Sequence, residues 1–399
     1  MTPLAWDKAR VAAYEAGAAH PVDAVEVPLA EADGATLAGP LLSRTDLPPF
    51  PTSSIDGWAT RGPAPWRIVG RVLAGATAGP LTEDGTCVEI ATGAMVPDGT
   101  EQIVRVEESS RTDDGRVTGS ARPAREWRDQ GDEARAGEEL FPAGTPVTPG
   151  LIGLAASCGY DTLVVRRPTA AILVFGDELL GSGLPGDGRV RDALGPILPA
   201  WLRRLSAEAT RVVRVEDTLE AHVKAIRTAL DSGADLVCTT GGTMHGPVDH
   251  LHPALRELGA EYVVNAVEVR PGFPMLLARV GRALIAGLPG NPQSAIVALL
   301  SLGVPAIAGL AGRSLPDLRT IRLAGDIPGR GGYTHLALVD GAGRPVSHVG
   351  SSMLRGLAGA VGFAVIPPGS VGAAGETAAL VPLPLLDGER PRGANRETP

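Results

Sequence analysis

Between residues 169 and 312, short apolar runs alternate with segments of helical periodicity, and this alternation limits the fold more than any other feature of the chain. Residues 170–174, 210–215, 234–240, 275–280 and 283–286 read as strands, and 261–269 reads as one more. Residues 194–207, 218–230, 248–258 and a stretch beginning at Asn291 read as helices. Repeated strand–helix alternation implies a mostly parallel sheet covered on both faces. Such a sheet binds its ligands outside the carboxyl ends of the strands.

The unusual residues of this segment fall at those ends. The first strand runs into Phe175-Gly176-Asp177-Glu178-Leu179, and the strand at 210–215 runs into Glu216-Asp217. The strand at 234–240 runs into Gly241-Gly242-Thr243, and the last into Gly287-Leu288-Pro289-Gly290-Asn291-Pro292. Gly241-Gly242 lets the backbone approach a phosphate and aim N–H groups at it. Asn291 suits a helix N-cap and Pro292 the first helical position, so free amides and the positive dipole end favour an oxyanion there. Asp177, Glu178, Asp217 and Asp249 are placed to gather at one end of the sheet. Hard oxygen ligands of that kind suit Mg2+, which keeps waters and bridges substrate phosphates. Each signal has a plainer reading alone, a turn for Gly-Gly and a solvated loop for Asp-Glu. Their common placement at strand ends is what raises them above it.

Other chemistries find less support. His245, His250 and His252 flank Asp249, but their spacing matches no strong zinc pattern. There is no Gly-x-Ser-x-Gly elbow and no supported Cys–His pair. Ser53 and Ser54 beside Asp56 read as a serine or Asx turn. Net charge is −9 and aromatics are 4%, with no basic patch, so a nucleic-acid surface is not expected. Cys87, Cys158 and Cys238 are odd in number and far apart, which fits a reducing cytoplasm better than a disulfide framework. The first residues lack an apolar core, so no signal peptide is expected. Residues 289–312 carry no charge and are long enough to span a membrane, but Pro289, Gly290, Asn291, Pro292, Gly303 and Pro305 punctuate them. A buried helix of the α/β layer is the better reading, and no membrane partner is expected.

The chain has 399 residues, which implies about two to four domains. A helix is expected at 3–17, then a strand and a short helix over 31–41. Residues 52–134 alternate short apolar runs with Gly, Pro and Asp turns and read as a small β domain. A short helix is expected near 148–157, and 315–386 is again β-rich. The fold class is therefore multidomain α/β plus β, and the polar tail 387–399 is expected to be disordered.

Several ordered motifs carry a family resemblance. Pro48-Pro49-Phe50-Pro51-Thr52-Ser53-Ser54-Ile55-Asp56-Gly57-Trp58-Ala59 resembles the P-P-F-x-x-S-x-M-D-G-Y-A signature of MoeA-type molybdopterin molybdenumtransferases, which include the gephyrin E domain. Thr92-Gly93-Ala94 opens a T-G-A-x-x-P-x-G match, and Glu107 follows it. Phe175-Gly176-Asp177-Glu178-Leu179 resembles T-G-D-E-L, and Thr240-Gly241-Gly242 resembles S-G-G. Asp249 falls where the family has its G-x-x-D aspartate. Arg270-Pro271-Gly272-Phe273-Pro274 resembles K-P-G-K-P, and Gly287 to Ala295 is a near-complete G-L-P-G-N-P-x-S-A. Gly350-Ser351 resembles the serine motif of the C-terminal domain. Together they span the chain and are far more specific than any one motif.

The resemblance implies a homodimer with a molybdopterin-binding three-layer α/β domain at 169–314 and an N-terminal helix, 1–20, packed on it. It implies an elongated linker domain at 21–43 and 136–168, an inserted β domain at 44–135, and a β-barrel-like domain at 315–386. The implied reaction inserts molybdate into adenylylated molybdopterin and releases AMP, with Mg2+ as cofactor. Asp56 of one subunit would face Glu178, Asp217 and Asp249 of the other as catalytic groups, the last three also holding metal. Thr92, Gly93, Asp177, Arg191, Gly241, Gly242, Arg270, Pro289, Gly290, Asn291 and Ser351 would contact substrate. The chain departs from the pattern at Phe175, at Asp192-Ala193-Leu194 for D-S-N, at Phe273 for the second lysine, at His250 for a tyrosine, at the inverted Gly131-Asp132-Glu133, and at His335 for a common arginine. Arg189 and Arg191 are placed to compensate for lost contacts. The alternative implied by these departures is a repurposed, non-catalytic member acting as a binding scaffold.

Overall fold

A computed structural model describes residues 2–244 and 249–385. Its centre is a six-stranded sheet in the order Glu208–Val215, Thr169–Phe175, Leu236–Thr240, Ala283–Leu288, Leu276–Val280, Glu261–Asn265. The first four strands are parallel neighbours, and Leu276–Val280 pairs antiparallel on both of its sides, so it alone runs against the other five. Thr169–Phe175 is buried on both faces, hence its unbroken apolar run, whereas the edge strand Glu208–Val215 alternates exposed and half-buried residues.

Two cores flank this sheet. One packs Ile172, Val174, Cys238 and Ala286 against the N-terminal helix Trp6–Ala18, the helix Leu194–Arg204 and the long apolar helix from Pro292. The other packs Leu173, Phe175, Val237 and Ile285 against the helices Leu219–Asp231 and Leu251–Glu257. Thr218 caps Leu219–Asp231, its Oγ accepting from the Ala221 amide at 3.2 Å.

The charge-free stretch is one helix, Pro292–Leu310, and 94% of its most apolar window is buried within the protein. It relaxes into a π turn at Leu299–Gly303, where Ser301 Oγ accepts from Trp6 Nε1 at 2.8 Å. The N-terminal helix crosses it backbone to backbone. A Cβ on Gly17 would lie 2.2 Å from the Ala306 carbonyl oxygen, and one on Gly309 would lie 2.4 Å from that of Tyr14.

Two sequence expectations need correction. The run 31–41 is not helical. A 3-10 turn at Leu29–Glu31 gives way to the short strands Thr36–Leu37 and Leu41–Leu42, because Gly34 (φ +73°) and Gly39-Pro40 interrupt any helix. The run 261–269 is two strands. Ala266 sits at φ +82° and bends the chain between Glu261–Asn265 in the central sheet and Val267–Arg270 in another. The central sheet is mostly parallel, as the alternation implies: five strands run one way and only Leu276–Val280 runs against them.

Outside the α/β layer, Val25–Pro28, Thr162–Arg166 and Thr36–Leu37 form an antiparallel sheet over its own core of Leu37, Leu41, Leu151, Leu163 and Val165. Arg67–Val72, Thr86–Ile90, Gly57–Arg61 and Gln102–Arg105 form a four-stranded sheet with separate small cores on its two faces. A second six-stranded sheet runs Leu4–Ala5, Val267–Arg270, Thr334–Val339, Gly362–Ile366, Thr377–Pro382, Arg319–Arg322. The strand Val267–Arg270 thus carries Arg270 from the α/β layer into the C-terminal sheet. The tail 387–399 lies outside the described residues.

Candidate functional site

The strand ends meet as the sequence reading requires. Gly241 and Gly242 both take positive φ, +88° and +67°, which only glycine adopts without strain. Gly290 lies against Gly241, where an added Cβ would come within 3.6 Å of the Gly241 Cα. One donor of the expected cradle is already used, since the Gly241 amide donates to the Leu288 carbonyl at 2.8 Å.

The helix start at Pro292 is also more closed than the sequence suggests. Asn291 occupies the N-cap, but its side chain makes no capping hydrogen bond. The Gln293 and Ser294 amides donate instead to the carbonyl of Ser351, at 2.9 and 3.4 Å. The free-amide anion site expected there is therefore occupied by backbone from the C-terminal region, and Ser351 contacts the helix directly.

Two of the carboxylates form a pair. The Asp177 amide donates to Asp217 Oδ2 at 3.2 Å, and the Asp217 amide returns a bond to Asp177 Oδ1 at 3.3 Å. The exposed Glu178 folds back over Gly176, where a Cβ would meet its Oε2 at 2.7 Å. Asp249 is half-buried just before the helix Leu251–Glu257. Among the described residues no three His, Cys, Asp or Glu side chains converge to hold a metal, so Glu178, Asp217 and Asp249 are not a preformed metal cage. Mg2+ needs only one or two carboxylates when substrate phosphates complete its shell. The paired Asp177 and Asp217 fit that arrangement. His252 is structural, with Nδ1 at 2.7 Å from the Tyr262 hydroxyl and Nε2 at 3.4 Å from the Thr243 carbonyl. His245 lies outside the described residues.

A cavity of about 860 Å³ opens between the α/β layer and the C-terminal sheet. Arg270, Pro289, Asn291 and Ser351 line it together, with Arg330 and Tyr333 as residues the sequence reading missed. His335 lines it too. Its Nδ1–H donates to the Pro328 carbonyl at 2.7 Å, and burial pushes its pKa below the usual imidazole value. It adds no positive charge at neutral pH, so Arg270 and Arg330 supply the field. Arg191 is exposed on the short strand Val190–Arg191, and the neighbouring Arg189 is tied to the Leu179 carbonyl at 3.4 Å.

The apolar departures do not strip this cavity. Phe175 is 5% exposed and packs its ring on His222, with centroids 3.7 Å apart. Leu194 is 5% exposed in the main core, while Asp192 accepts from the Gly195 amide at 2.8 Å and faces Arg214 at 3.7 Å. Cys87 and Cys238 are buried thiols pushed up to about 11 and about 12, so neither supplies a thiolate.

The inserted domain holds the remaining site residues. Thr92 donates to Asp56 Oδ1 from its amide at 2.7 Å and from its hydroxyl at 3.1 Å. The Gly93 amide donates to the Ser53 carbonyl at 2.8 Å, and Ser53 Oγ closes a serine turn onto Ile55. Gly57 is dictated by a close approach, since a Cβ there would sit 2.1 Å from the Val104 carbonyl oxygen. Arg105 grips Glu126 with two hydrogen bonds, 2.8 and 3.1 Å, and these hold the Glu126 carboxyl below its ordinary value. The Glu126 carbonyl in turn accepts from the Ser54 amide at 2.9 Å and fixes the loop before Asp56.

Residues 6–159 match the MoeA N-terminal region (domain I and II), and residues 171–309 match the probable molybdopterin binding domain. The molybdopterin molybdenumtransferase of Haemophilus influenzae is 31% identical over 299 residues, 71% of this chain and 72% of that protein. The one from Staphylococcus aureus is 27% identical over 302 residues, 72% of each. A solved molybdopterin biosynthesis MoeA protein from Pyrococcus horikoshii superposes with a TM-score of 0.77 at 22% identity, covering 96% of this chain and 100% of its own. With the motifs, the glycine-built strand ends and the Asp56–Thr92 loop all in place, the chain belongs to the molybdopterin molybdenumtransferase family.

Proposed function

We propose that this chain inserts molybdate into adenylylated molybdopterin and releases AMP. One observation carries the reading beyond family membership: Arg270, Asn291 and Ser351 line one cavity at the carboxyl end of the sheet. Arg270 and Arg330 draw the anionic substrate in, and the backbone at Gly242 and Gly290 allows its phosphates close approach. Asp177 and Asp217 stand beside the phosphoanhydride, with Glu178 and Asp249 as further carboxylates. Asp177 and Asp217 would hold Mg2+, which would supply neutralisation of the phosphate charge. Positioning and electrostatics then supply most of the rate.

The Asp56–Thr92 loop stands on a separate domain core, which supports a homodimer whose site takes Asp56, Thr92 and Gly93 from the second copy. Arg191, exposed near Glu178, is available to the substrate rim. Three unpaired, buried cysteines fit a cytoplasmic protein. Phe175 and Leu194 are core residues rather than gaps in the cavity wall, so these two departures do not favour the scaffold alternative. The test is an AMP-release assay with purified protein, adenylylated molybdopterin, molybdate and Mg2+. AMP release that depends on molybdate supports the reading; substrate that binds but yields no AMP refutes it.

A further inference from the structure

Arg270 stands between two aromatic faces. Its guanidinium carbon lies 4.5 Å from the centroid of Tyr333 and 5.2 Å from that of Phe273. The two rings meet edge to face, 5.8 Å apart at 85°. The backbone builds this bracket from two directions. Arg270 ends its strand in register with His335, so Tyr333 reaches it from just before the neighbouring strand. Phe273 reaches it from the turn Pro271-Gly272, where Gly272 takes φ +108° and a Cβ would meet the Met275 methyl at 2.9 Å.

Among the described residues no carboxylate pairs with Arg270, and its guanidinium donates no hydrogen bond. Among the described residues the charge rests on these two ring faces, at distances where a cation is attracted to an aromatic quadrupole. A planar guanidinium can lie on such faces and still present its N–H fork at the edge, which a lysine ammonium cannot do. Phe273 in place of a second lysine is therefore matched to Arg270 in place of the first.

We propose that Phe273 and Tyr333 are positioning residues that clamp Arg270 and set the cavity's affinity for a tetrahedral oxyanion. The inference rests on the reading that this cavity receives the anionic substrate. The oxyanion is either molybdate or the phosphate of the nucleotide, and both carry the same fork-matching geometry. A clamped guanidinium loses less freedom on binding than a free one, so the clamp acts on affinity and leaves the chemical step alone.

The test titrates the full-length protein separately with molybdate and with AMP by calorimetry at fixed ionic strength. The variants are Tyr333→Leu, Phe273→Leu, Tyr333→Phe and Arg270→Ala. Tyr333→Leu and Phe273→Leu should each weaken one probe by about 2–5-fold, the size of an exposed cation–π contact. Tyr333→Phe keeps the ring and should bind as the wild type does. In the AMP-release assay, the two leucine variants should raise KM with kcat unchanged. The Arg270 Nε proton should resonate upfield in the wild type and in Tyr333→Phe, and move back in Tyr333→Leu. Which probe responds identifies the oxyanion. Wild-type affinity in both leucine variants, with binding lost in Arg270→Ala, overturns the clamp and leaves the cavity reading standing. Equal losses in Tyr333→Phe and Tyr333→Leu assign the effect to the hydroxyl and also overturn it. Undiminished binding in Arg270→Ala removes the cavity reading itself.

Discussion

The carbonyl oxygen of Ser351 accepts a hydrogen bond from the Gln293 amide at 2.9 Å, joining the C-terminal region to the first turn of the long apolar helix. A buried helix start leaves orphan donors that something must satisfy, and here the chain satisfies two of them itself. The Gln293 amide should therefore exchange slowly with solvent in ligand-free protein, and AMP or molybdate should not slow it further. Fast exchange that becomes protected only on adding AMP would return this helix start to the role of an open anion site.

Gly57 carries a second expectation. Its missing Cβ leaves room for the Val104 carbonyl, 2.1 Å from where the carbon would stand. Gly57→Ala forces the two strands apart beside Asp56, and overpacking of this kind costs about 1–3 kcal/mol. Chemical denaturation should show the loss, accompanied by weaker substrate binding. A variant as stable as the wild type would contradict the close approach.

Two buried histidines give the stability a direction with pH. Burial is the largest cause lowering the pKa of His222 and of His335 from the ordinary 6.5. Their neutral forms donate from Nδ1 to Thr218 and Pro328 carbonyls, at 2.8 and 2.7 Å. Below 6.5 the unfolded chain binds more protons than the folded one, so stability rises with pH across that window and is lost as pH falls through it. The urea midpoint should drop between pH 7.5 and a pH about two units lower, and the drop should shrink in His222→Asn and His335→Asn. A midpoint that does not move would contradict the burial of these rings.

Much of this was legible in the sequence because it depends on local pattern. Ile172 and Leu173 face opposite cores, so their strand reads as continuous apolar sequence; Asn291-Pro292 marks a helix start by its own chemistry. Asp56 and Thr92 were each marked by a motif, but the two hydrogen bonds that join them were not. What escaped depends on contacts between distant segments. Ala266 adopts a left-handed backbone where its own sequence favours a continuous strand, because tertiary pairing draws Val267–Arg270 into a second sheet. Ser351 fills the helix start from another domain, and Tyr333 meets Arg270 across two strands. Phe175, read as a lost polar contact, is a core residue packed on His222. Of the three carboxylates expected to share a metal, Glu178 and Asp217 follow strand ends, Asp249 precedes a helix, and Asp217 pairs with Asp177 rather than joining a cage.

The central claim is an insertase site completed by two copies of the chain. Its most direct test mixes Asp56→Ala protein with Arg270→Ala protein, after exchange of subunits, and measures molybdate-dependent AMP release. Each variant alone should be nearly inactive. In a mixed dimer, one of the two sites takes both intact residues, so the mixture should recover a substantial fraction of wild-type activity. A mixture as inactive as its parts, with mixed dimers demonstrated, would contradict a site shared between subunits.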